Sequence, residues 1–243
     1  MGTGRKPGRV LLKLSGEALM GARDHGIDPE LAGRIAAEIA EVVRGGVQVG
    51  LVVGGGNLFR GAELAARGMD RVTADHVGML ATVMNALVLR ELLRAEGVTA
   101  EAFSAIPMEA VCAPYSPRAA RAALERGTVA LLAAGTGNPF FTTDTAAALR
   151  AAELGADLML KATKVDGVYS ADPARDPRAR RYERLSYAEV VARELGVMDL
   201  TAVLLCRDHG IPLRVFNLYR AGELVRAARG EPVGTLVDQG EEP

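Results

Sequence analysis

The chain has 243 residues and a formal net charge of −1. This length suits one large α/β domain, and the balanced charge excludes the strongly basic surface typical of proteins that bind nucleic acid. Hydrophobic residues make up 49% and charged residues 24%, which are ordinary values for a folded protein with a sizeable core. We therefore expect a single domain over residues 1–243, with flexible tails at 1–8 and 239–243 and no nucleic-acid partner.

The cysteines and the chain start predict the compartment. Cys112 and Cys206 lie far apart and give neither a disulfide framework nor the spacing of metal ligands. Buried thiols in a reducing compartment are therefore expected. The N-terminus lacks the apolar stretch of a signal peptide, and no run approaches the roughly 18 apolar residues of a membrane span. These features predict a cytoplasmic protein without membrane contact.

Strand-like and helix-like segments alternate along the chain. The predicted strands are Val10 to Leu14, Gln48 to Val53, Ala130 to Ala134, Leu158 to Leu160 and Leu213 to Phe216. The predicted helices are Leu31 to Arg44, one from near Leu58, Val77 to Leu93, Ala146 to Leu154, Ser186 to Leu195 and Thr201 to His209. Asp28 and Pro29 give the first helix an N-cap and a first-turn proline. The alternation predicts an α/β fold of three layers, with a mostly parallel central sheet covered on both faces.

The predicted helix Val77 to Leu93 is apolar almost all round. Between Val77 and Leu89 its only polar residues are Thr82 and Asn85. Such a helix lies either centrally in the core or with one face against another subunit. We favour a subunit interface. The turn-rich residues 166–184 indicate either a solvated loop or a flap over a site at the strand ends.

Lysine is rare in this chain, which contains 25 arginines and 4 lysines. Three of the four, Lys13, Lys161 and Lys164, lie on or just beyond predicted strands. A compact ammonium can sit against a single phosphate oxygen in a way that a planar guanidinium cannot imitate. These lysines are therefore candidate phosphate contacts, although chance could also explain them.

Three glycine-bearing turns each follow a predicted strand, at residues 13–16, 54–57 and 135–138. None completes GxxxxGK or GxGxxG, so the common phosphate-loop fingerprints are excluded. In a parallel sheet the carboxyl ends of the strands share one rim, where backbone amides and helix N-termini attract anions. The three turns together predict a site for polyanions. Tight turning alone could explain any single turn, helix capping could explain Asp144, and simple solvation could explain Asp75.

Several longer motifs carry a family resemblance that spans almost the whole chain. They are LLKLSGEAL from Leu11, GGGNLFRG from Gly54, GMLATVMNAL from Gly78, AGTGNPFFTTDTAA from Ala134, KATKVDGVYSADP from Lys161 and VMDLTA from Val197. With these motifs the chain resembles the bacterial uridylate kinases of the amino acid kinase family. The resemblance implies the amino acid kinase fold, a cytoplasmic homohexamer, and transfer of the ATP γ-phosphoryl group to UMP, giving UDP for pyrimidine nucleotide synthesis. It also implies Mg²⁺ bound with ATP.

The resemblance also assigns residues, motif by motif. The implied catalytic residues are Lys13, Arg60 and Asp144, the first two to stabilise charge and the third to orient a lysine or a Mg²⁺-bound water. The implied ATP-binding residues are Lys13, Leu14, Ser15, Gly16, Gly56, Arg60, Thr163, Tyr169 and Asp172. The implied UMP-binding residues are Gly55, Asp75, Thr136, Gly137, Asn138, Pro139, Phe140, Phe141, Thr142 and Thr143. Phe140 and Phe141 either pack beside the uracil or are buried in the core, and no protein ligand set for a metal is implied.

The resemblance extends to regulation by GTP activation and UTP inhibition. The implied GTP-effector loop is Gly21, Ala22, Arg23, Asp24, His25 and Gly26. Here Arg23, Asp24 and His25 are bulkier than the family pattern, which puts GTP activation in doubt. His76 replaces an expected aromatic residue, and Pro117 interrupts an expected helical start. Two alternatives stay open, a kinase of the same fold that acts on a carboxylate or carbamate, and a non-catalytic nucleotide sensor.

Overall fold

The structure is a computed structural model and describes residues 6–59, 66, 68–173 and 175–240. The strands of the described residues are β1 (Arg9–Leu14), β2 (Gln48–Val53), β3 (Ala100–Ser104), β4 (Ala113–Pro114), β5 (Val129–Ala133), β6 (Leu158–Thr163), β7 (Arg184–Ser186), β8 (Leu213–Asn217) and β9 (Thr235–Asp238). The α-helices are α1 (Pro29–Arg44), α2 (Arg71–Ala95), α3 (Pro117–Glu125), α4 (Thr143–Leu154), α5 (Tyr187–Ala192), α6 (Leu200–Asp208) and α7 (Glu223–Ala228). A short 3₁₀ helix, Gly16–Leu19, follows β1.

The strands form one sheet in the order β4-β3-β5-β2-β1-β6-β8-β9-β7. The seven strands from β4 to β8 run parallel, while β9 pairs antiparallel with β8. The central strand β1 therefore has β2 on one side and β6 on the other. All three end at the same rim, as expected for a parallel sheet. The two edge strands are short, with two residues in β4 and three in β7.

Two apolar cores lie on opposite faces of the sheet. Alternate residues of β1 face opposite sides, so that Leu12 joins one core and Leu11 the other. Helices α1, α2 and α7 cover the first face, and α3, α4, α5 and α6 cover the second. The predicted three-layer α/β fold with a mostly parallel sheet is confirmed. Cys112 and Cys206 are buried free thiols, as predicted.

Most predicted elements are present, with shifted ends. The strand Gln48–Val53 has the predicted bounds, and Asp28 caps α1 by accepting a hydrogen bond from the Leu31 amide at 3.0 Å. Helix α2 begins six residues before the predicted start because Asp70 accepts a hydrogen bond from the Thr73 amide. Pro117 was expected to interrupt a helix, and this is wrong. It is the first residue of α3, behind the N-cap Ser116.

Several elements were not predicted. They are β3, β4, α3, β7, α7 and β9. The helix predicted from near Leu58 falls mostly on residues 60–67, which lie outside the described residues apart from residue 66. At the chain ends, Gly8 already hydrogen-bonds to the Asp157 carboxylate at 2.8 Å, and Gln239 donates to the Arg207 carbonyl at 2.5 Å.

Helix α2 corrects the expectation that no segment of the chain resembles a membrane span. With 25 residues it is long and apolar enough, by length and composition alone, to cross a membrane. In this fold, however, Met79, Leu89 and Leu93 belong to the core between α2 and the sheet. These buried residues of α2 therefore have a structural role within the domain, whereas Leu80, Met84 and Val88 on the same helix are exposed.

Candidate active site

Two lysines meet one carboxylate at the centre of the rim. Lys13 on β1 and Lys161 on β6 occupy paired positions in the sheet register, so their side chains leave the same face side by side. Asp144 lies in the first turn of α4 and reaches both. Its Oδ1 is 2.7 Å from the Lys13 ammonium, and its Oδ2 is 2.7 Å from the Lys161 ammonium. Lys161 also donates to the Val197 carbonyl at 2.6 Å.

The charges of this centre are largely buried. Burial works to raise the pKa of the Asp144 carboxyl, but the two ammonium groups outweigh it and hold that pKa below its ordinary value. Burial, helped by the charge of Lys13, keeps the pKa of Lys161 below its ordinary value despite Asp144. Among these three residues two ammonium groups share one carboxylate, and the Asp199 carboxylate also acts on the charge of Lys161. We call Lys13, Lys161 and Asp144 the charge centre.

Asp144 does not cap α4, so that alternative is wrong. The cap is Thr142, whose hydroxyl accepts hydrogen bonds from the amides of Asp144 and Thr145, each at 3.1 Å. The Thr142 hydroxyl in turn donates to Asp199, as does the Thr145 hydroxyl at 2.8 Å. The Asp144 carboxylate is thereby left for the lysines. Asp199 joins the start of α4 to the start of α6, which it caps.

The glycine turns after β1 and β2 touch each other. A Cβ on Gly16 would lie 2.7 Å from both the Gly54 carbonyl oxygen and the Gly56 nitrogen. Neither Gly16 nor Gly54 has a positive φ, so glycine is needed here for close approach rather than for conformational freedom. Ser15 caps the 3₁₀ helix by accepting a hydrogen bond from Ala18. The predicted ATP-phosphate residues Lys13, Leu14, Ser15, Gly16 and Gly56 therefore form one continuous rim segment.

A buried pair of asparagines supports these turns. Asn85 on α2 donates to the Gly54 carbonyl at 2.7 Å and contacts Asn57. Asn57 donates to the Gly26 carbonyl at 2.9 Å. The sequence contained a signal for this, because Asn85 and Thr82 are the polar residues of an otherwise apolar stretch. Both are buried, and the Thr82 hydroxyl accepts a hydrogen bond from the Ala134 amide at 2.8 Å.

Beside the charge centre lies a cavity of about 190 Å³, which we call the acceptor cavity. Its lining residues are Gly55, Phe59, Arg71, Asp75, Gly78, Met79, Thr82, Gly135, Thr136, Phe141, Thr142 and Thr143. Six predicted UMP-binding residues line it, namely Gly55, Asp75, Thr136, Phe141, Thr142 and Thr143. The other four, Gly137, Asn138, Pro139 and Phe140, complete the turn but are not among the lining residues.

Asp75 organises the outer wall of the acceptor cavity. Its carboxylate accepts a hydrogen bond from the Phe140 amide at 2.7 Å and pairs with Arg71 at 2.9 Å. Asp75 is therefore not a simply solvated helix residue. Phe140 and Phe141 are 63% and 52% exposed, so the alternative of core burial is wrong for both. Phe141 lines the cavity, while the ring of Phe140 lies under the Arg71 guanidinium, 5.6 Å from its central carbon.

The predicted adenosine residues lie beyond the end of β6. Thr163 ends that strand, two residues after Lys161, and donates to the Val165 carbonyl at 2.7 Å. Tyr169 donates to Asp166, which also lies 3.3 Å from Arg220. The Tyr169 hydroxyl, with the arginines Arg181 and Arg220, keeps the pKa of Asp166 below its ordinary value against partial burial. Asp172 is exposed and pairs with Arg175 at 3.4 Å. Residues 166–184 thus carry a charged cluster on the rim side of the strand.

The 21–26 loop borders a separate open cavity of about 560 Å³. That cavity is lined by Gly21, Ala22, Asp28, Glu30, Leu31, Arg34 and Tyr219. Arg23, Asp24 and His25 are exposed, while Gly26 is hydrogen-bonded to Asn57 through both its amide and its carbonyl. The loop is therefore joined to the turn after β2. Arg60, the remaining predicted catalytic residue, lies outside the described residues.

Sequence reasoning missed four residues that support the site. Lys161 was noticed as a rare lysine but was not placed in the catalytic set, and only the sheet register brings it beside Lys13. Asn57, Asn85 and Asp199 were not identified either. Their contacts depend on side-chain positions in the folded chain, which no spacing rule supplies.

This fold and this rim agree with the comparisons. Residues 8–217 match the model of a family described as the amino acid kinase family, and the chain belongs to that family. Among curated proteins it is similar to a uridylate kinase of Ectopseudomonas mendocina, with 59% identity over 98% of this chain and 97% of the relative. A uridylate kinase of Pseudomonas fluorescens is 58% identical over 96% of this chain and 95% of the relative.

Solved structures give the same result. The UMP kinase of Bacillus anthracis superposes with a TM-score of 0.94 at 39% identity, covering 98% of each chain. The UMP kinase of Ureaplasma parvum superposes with a TM-score of 0.89 at 35% identity, covering 95% of this chain and 98% of its own.

Proposed function

We propose that this chain is a nucleoside monophosphate kinase that transfers the γ-phosphoryl group of ATP to UMP and forms UDP. The observation that carries the proposal is the charge centre, placed between the glycine turns and the acceptor cavity. The high identity to uridylate kinases over nearly the whole chain supports UMP as the acceptor. It does not favour a kinase for a carboxylate or carbamate. By the same reasoning the enzyme serves pyrimidine nucleotide synthesis in the cytoplasm, without a nucleic-acid or membrane partner.

The proposed mechanism is direct in-line transfer. Phosphoryl transfer passes through a loose transition state, so the enzyme mainly positions two polyanions and offsets their repulsion. The UMP phosphate is already an anion at neutral pH, so its attack requires no general base. Lys13 and Lys161 supply positive charge at the transfer point, and Asp144 holds both ammonium groups in place. Arg60 is proposed to add a further positive charge.

We further propose that each nucleotide has its own part of the rim. The turns after β1 and β2 bind the ATP phosphates through Lys13, Leu14, Ser15, Gly16, Gly56 and Arg60. Thr163, Tyr169 and Asp172 hold the adenosine. The acceptor cavity and the turn at 136–143 hold UMP, with Asp75 accepting a hydrogen bond from a ribose hydroxyl. Gly55 lines the cavity where its backbone packs closely against α2.

The divalent metal enters in this proposal as part of the substrate, Mg²⁺ on the ATP phosphates. Magnesium keeps several waters and prefers phosphate oxygens to a full set of protein ligands. Each oxygen of Asp144 already meets a lysine, so this carboxylate is suited to an indirect contact through water. Its main work is to orient the two lysines.

We propose that the enzyme is a homohexamer and that α2 contributes a subunit interface. Leu80, Met84 and Val88 recur at every fourth position of α2 and are 49%, 44% and 41% exposed. This spacing places them on one line along the helix. An apolar line of this kind is typical of a surface that another subunit covers. We call these three residues the α2 line.

GTP activation and UTP inhibition are also proposed. The bonds between Gly26 and Asn57 support a route from the 21–26 loop to the turn after β2. Arg23, Asp24 and His25 are exposed on this loop, and an activity assay with GTP and UTP tests which nucleotide acts through it.

One assay tests the proposed function. Purified protein is given Mg-ATP with UMP, CMP, acetylglutamate, aspartate or carbamate, and nucleoside diphosphate or ADP formation is measured with and without GTP and UTP. We expect UDP formation with UMP to exceed turnover of every other acceptor. If turnover is greater with a carboxylate or with carbamate, that compound and not UMP is the acceptor. If UMP binds but no acceptor is phosphorylated, the protein is a nucleotide sensor.

A further inference from the structure

A buried arginine lies beneath the acceptor cavity and has no role in the mechanism described so far. Arg150 is on α4, six residues after Asp144, and is only 5% exposed. A guanidinium stays charged in proteins, and burying a charge is costly unless it is paired and hydrogen-bonded. The contacts of Arg150 should therefore explain why this charged side chain is buried.

The contacts of Arg150 use both ends of its guanidinium fork. Its Nη2 donates to the Gly135 carbonyl at 3.1 Å, and its Nη1 donates to Glu153 at 2.7 Å. The flat face stacks on Tyr115, with 3.9 Å from the guanidinium carbon to the ring centroid. The Tyr115 hydroxyl donates to the same Glu153 oxygen at 2.5 Å. Burial and this bond to Glu153 raise the pKa of Tyr115, so its hydroxyl remains a donor.

The Gly135 carbonyl belongs to a turn that needs outside support. Ala134 and Gly135 are both left-handed, with φ of 62° and 60°, and alanine is strained in that region. Thr82 holds the Ala134 amide on one side of the turn. Arg150 holds the Gly135 carbonyl on the other, as a charged donor that makes a stronger bond than a neutral one.

This bond also orients a free donor of the acceptor cavity. In a trans peptide the carbonyl and the following amide point in opposite directions. The bond from Arg150 to the Gly135 carbonyl therefore sets the direction of the Thr136 amide. That amide donates to no other residue in the described part of the chain, and both Gly135 and Thr136 line the cavity.

We propose that Arg150 is a positioning residue for the acceptor nucleotide. It acts through the Gly135 carbonyl, and Tyr115 and Glu153 fix its own orientation. The inference rests on the proposed function, since it takes UMP as the occupant of the acceptor cavity. The proposal predicts an effect on UMP and none on ATP, because Arg150 makes no contact with the turns after β1 and β2 in the described structure.

The test compares Arg150→Met and Arg150→Lys with the unchanged protein. For each protein, UMP binding alone is measured by calorimetry, KM for UMP and for ATP by UDP formation, and the folded state by thermal unfolding. A hydrogen bond from a charged donor contributes a factor of roughly ten or more to an equilibrium constant, and here that bond holds the turn that receives UMP. We expect Arg150→Met to weaken UMP binding by about that factor with KM for ATP unchanged. Arg150→Lys keeps the charge but not the fork, so partial recovery is expected.

Glu153→Gln is the matched control. It removes the charge of the ion pair but keeps a side-chain oxygen that accepts from Arg150 and Tyr115, so Arg150 stays directed at the Gly135 carbonyl. The unfolding temperature should therefore fall with little effect on UMP binding. Unchanged UMP binding in Arg150→Met would overturn the proposal. So would an equal weakening of UMP and ATP, which indicates general loss of structure. If the Met variant does not fold, unchanged UMP binding in Arg150→Lys overturns it. Absence of UDP formation by the unchanged protein would instead contradict the proposed function.

Discussion

At the scale of single residues, the charge centre depends on a carboxylate shared between two ammonium groups. Lys13 and Lys161 each lie 2.7 Å from a different oxygen of Asp144. A lysine provides a compact charge at one point, whereas an arginine presents a wider planar fork. Replacing one by the other in this buried position therefore changes geometry even though it preserves charge.

We expect Lys13→Arg to lose most of the turnover. Removing one well-placed electrostatic contact to the transition state costs about 10² to 10³ in kcat, and the wider guanidinium does not fit the same position. UMP binding should persist, because Lys13 is not among the residues that line the acceptor cavity. Steady-state UDP formation and calorimetry with UMP measure the two effects. Lys6→Arg, at an exposed position near the N-terminus, is the control, and normal turnover in Lys13→Arg would remove Lys13 from the mechanism.

Asp144→Asn should destabilise the fold in a pH-dependent way. It leaves two buried ammonium groups without their carboxylate, and breaking a buried ion pair costs about 3 to 5 kcal/mol. The pKa of Asp144 is lowered in the folded state, so its stabilising effect is complete above the ordinary carboxyl pKa. The effect is lost as the pH falls through the lowered value.

Urea unfolding of both proteins over a pH series measures this difference. The free energy of unfolding should differ most near neutral pH, and the two curves should converge in acid. A difference that stays constant down to acid pH would show that Asp144 does not act through its charge.

At the scale of elements, the two sides of α2 carry different residues. Thr82 and Asn85 face inward and hold the backbone of the turns at Ala134 and Gly54. The α2 line faces outward. The sequence indicated both sides, since the polar pair and the apolar character were visible before the fold was known. Which turn each polar residue holds was not predictable, because the contacts join residues 31 and 52 positions apart.

The double change Leu80→Glu and Met84→Glu should break the proposed assembly. Two carboxylates on the α2 line would be desolvated without partners in a subunit interface. Sedimentation or light scattering should therefore show a smaller particle than the unchanged protein forms. Leu200→Glu, at an exposed leucine on α6, is the control and should leave the mass unchanged. An unchanged mass for the double variant would exclude α2 from the interface.

Element prediction succeeded where local signals were strong. Strand β2, with the sequence QVGLVV, contains three valines and a leucine and was predicted with its observed ends. Strand β3, with the sequence AEAFS, has small residues and a glutamate and carries no such signal. Strands β7 and β9 have three and four residues and pair with each other through positions 184 to 186 and 236 to 238. Their existence depends on that distant pairing.

At the scale of the whole molecule, the rim is assembled from distant parts of the sequence. Strand and helix alternation was sufficient to predict that the glycine turns share one edge of the sheet. The meeting of Lys13 with Lys161 depends on the register of β1 and β6, across 148 positions, and was not predicted. The family resemblance implied that Asp144 orients a lysine, and the position of Thr142 as the helix cap leaves the Asp144 carboxylate free for that contact.

Gly16→Ala tests how closely the rim is packed. The added Cβ would lie 2.7 Å from backbone atoms of the turn after β2, and overpacking of this kind costs about 1 to 3 kcal/mol. The two phosphate turns should separate, so KM for ATP should rise more than KM for UMP. Gly33→Ala is the control, since its Cβ meets nothing and helix α1 should gain about 0.5 to 1 kcal/mol. A normal KM for ATP in Gly16→Ala would contradict close contact between the turns.

The short outer strands of the sheet have a consequence for solubility during folding. An exposed strand border with unpaired amides can template pairing with other chains and lead to aggregation. Here one border is the two-residue β4, which includes Pro114 and so lacks one amide donor, and the other is the three-residue β7. Neither edge strand is long enough for a strand of another chain to form a stable series of backbone hydrogen bonds with it. Association between copies through the borders of the sheet is therefore disfavoured.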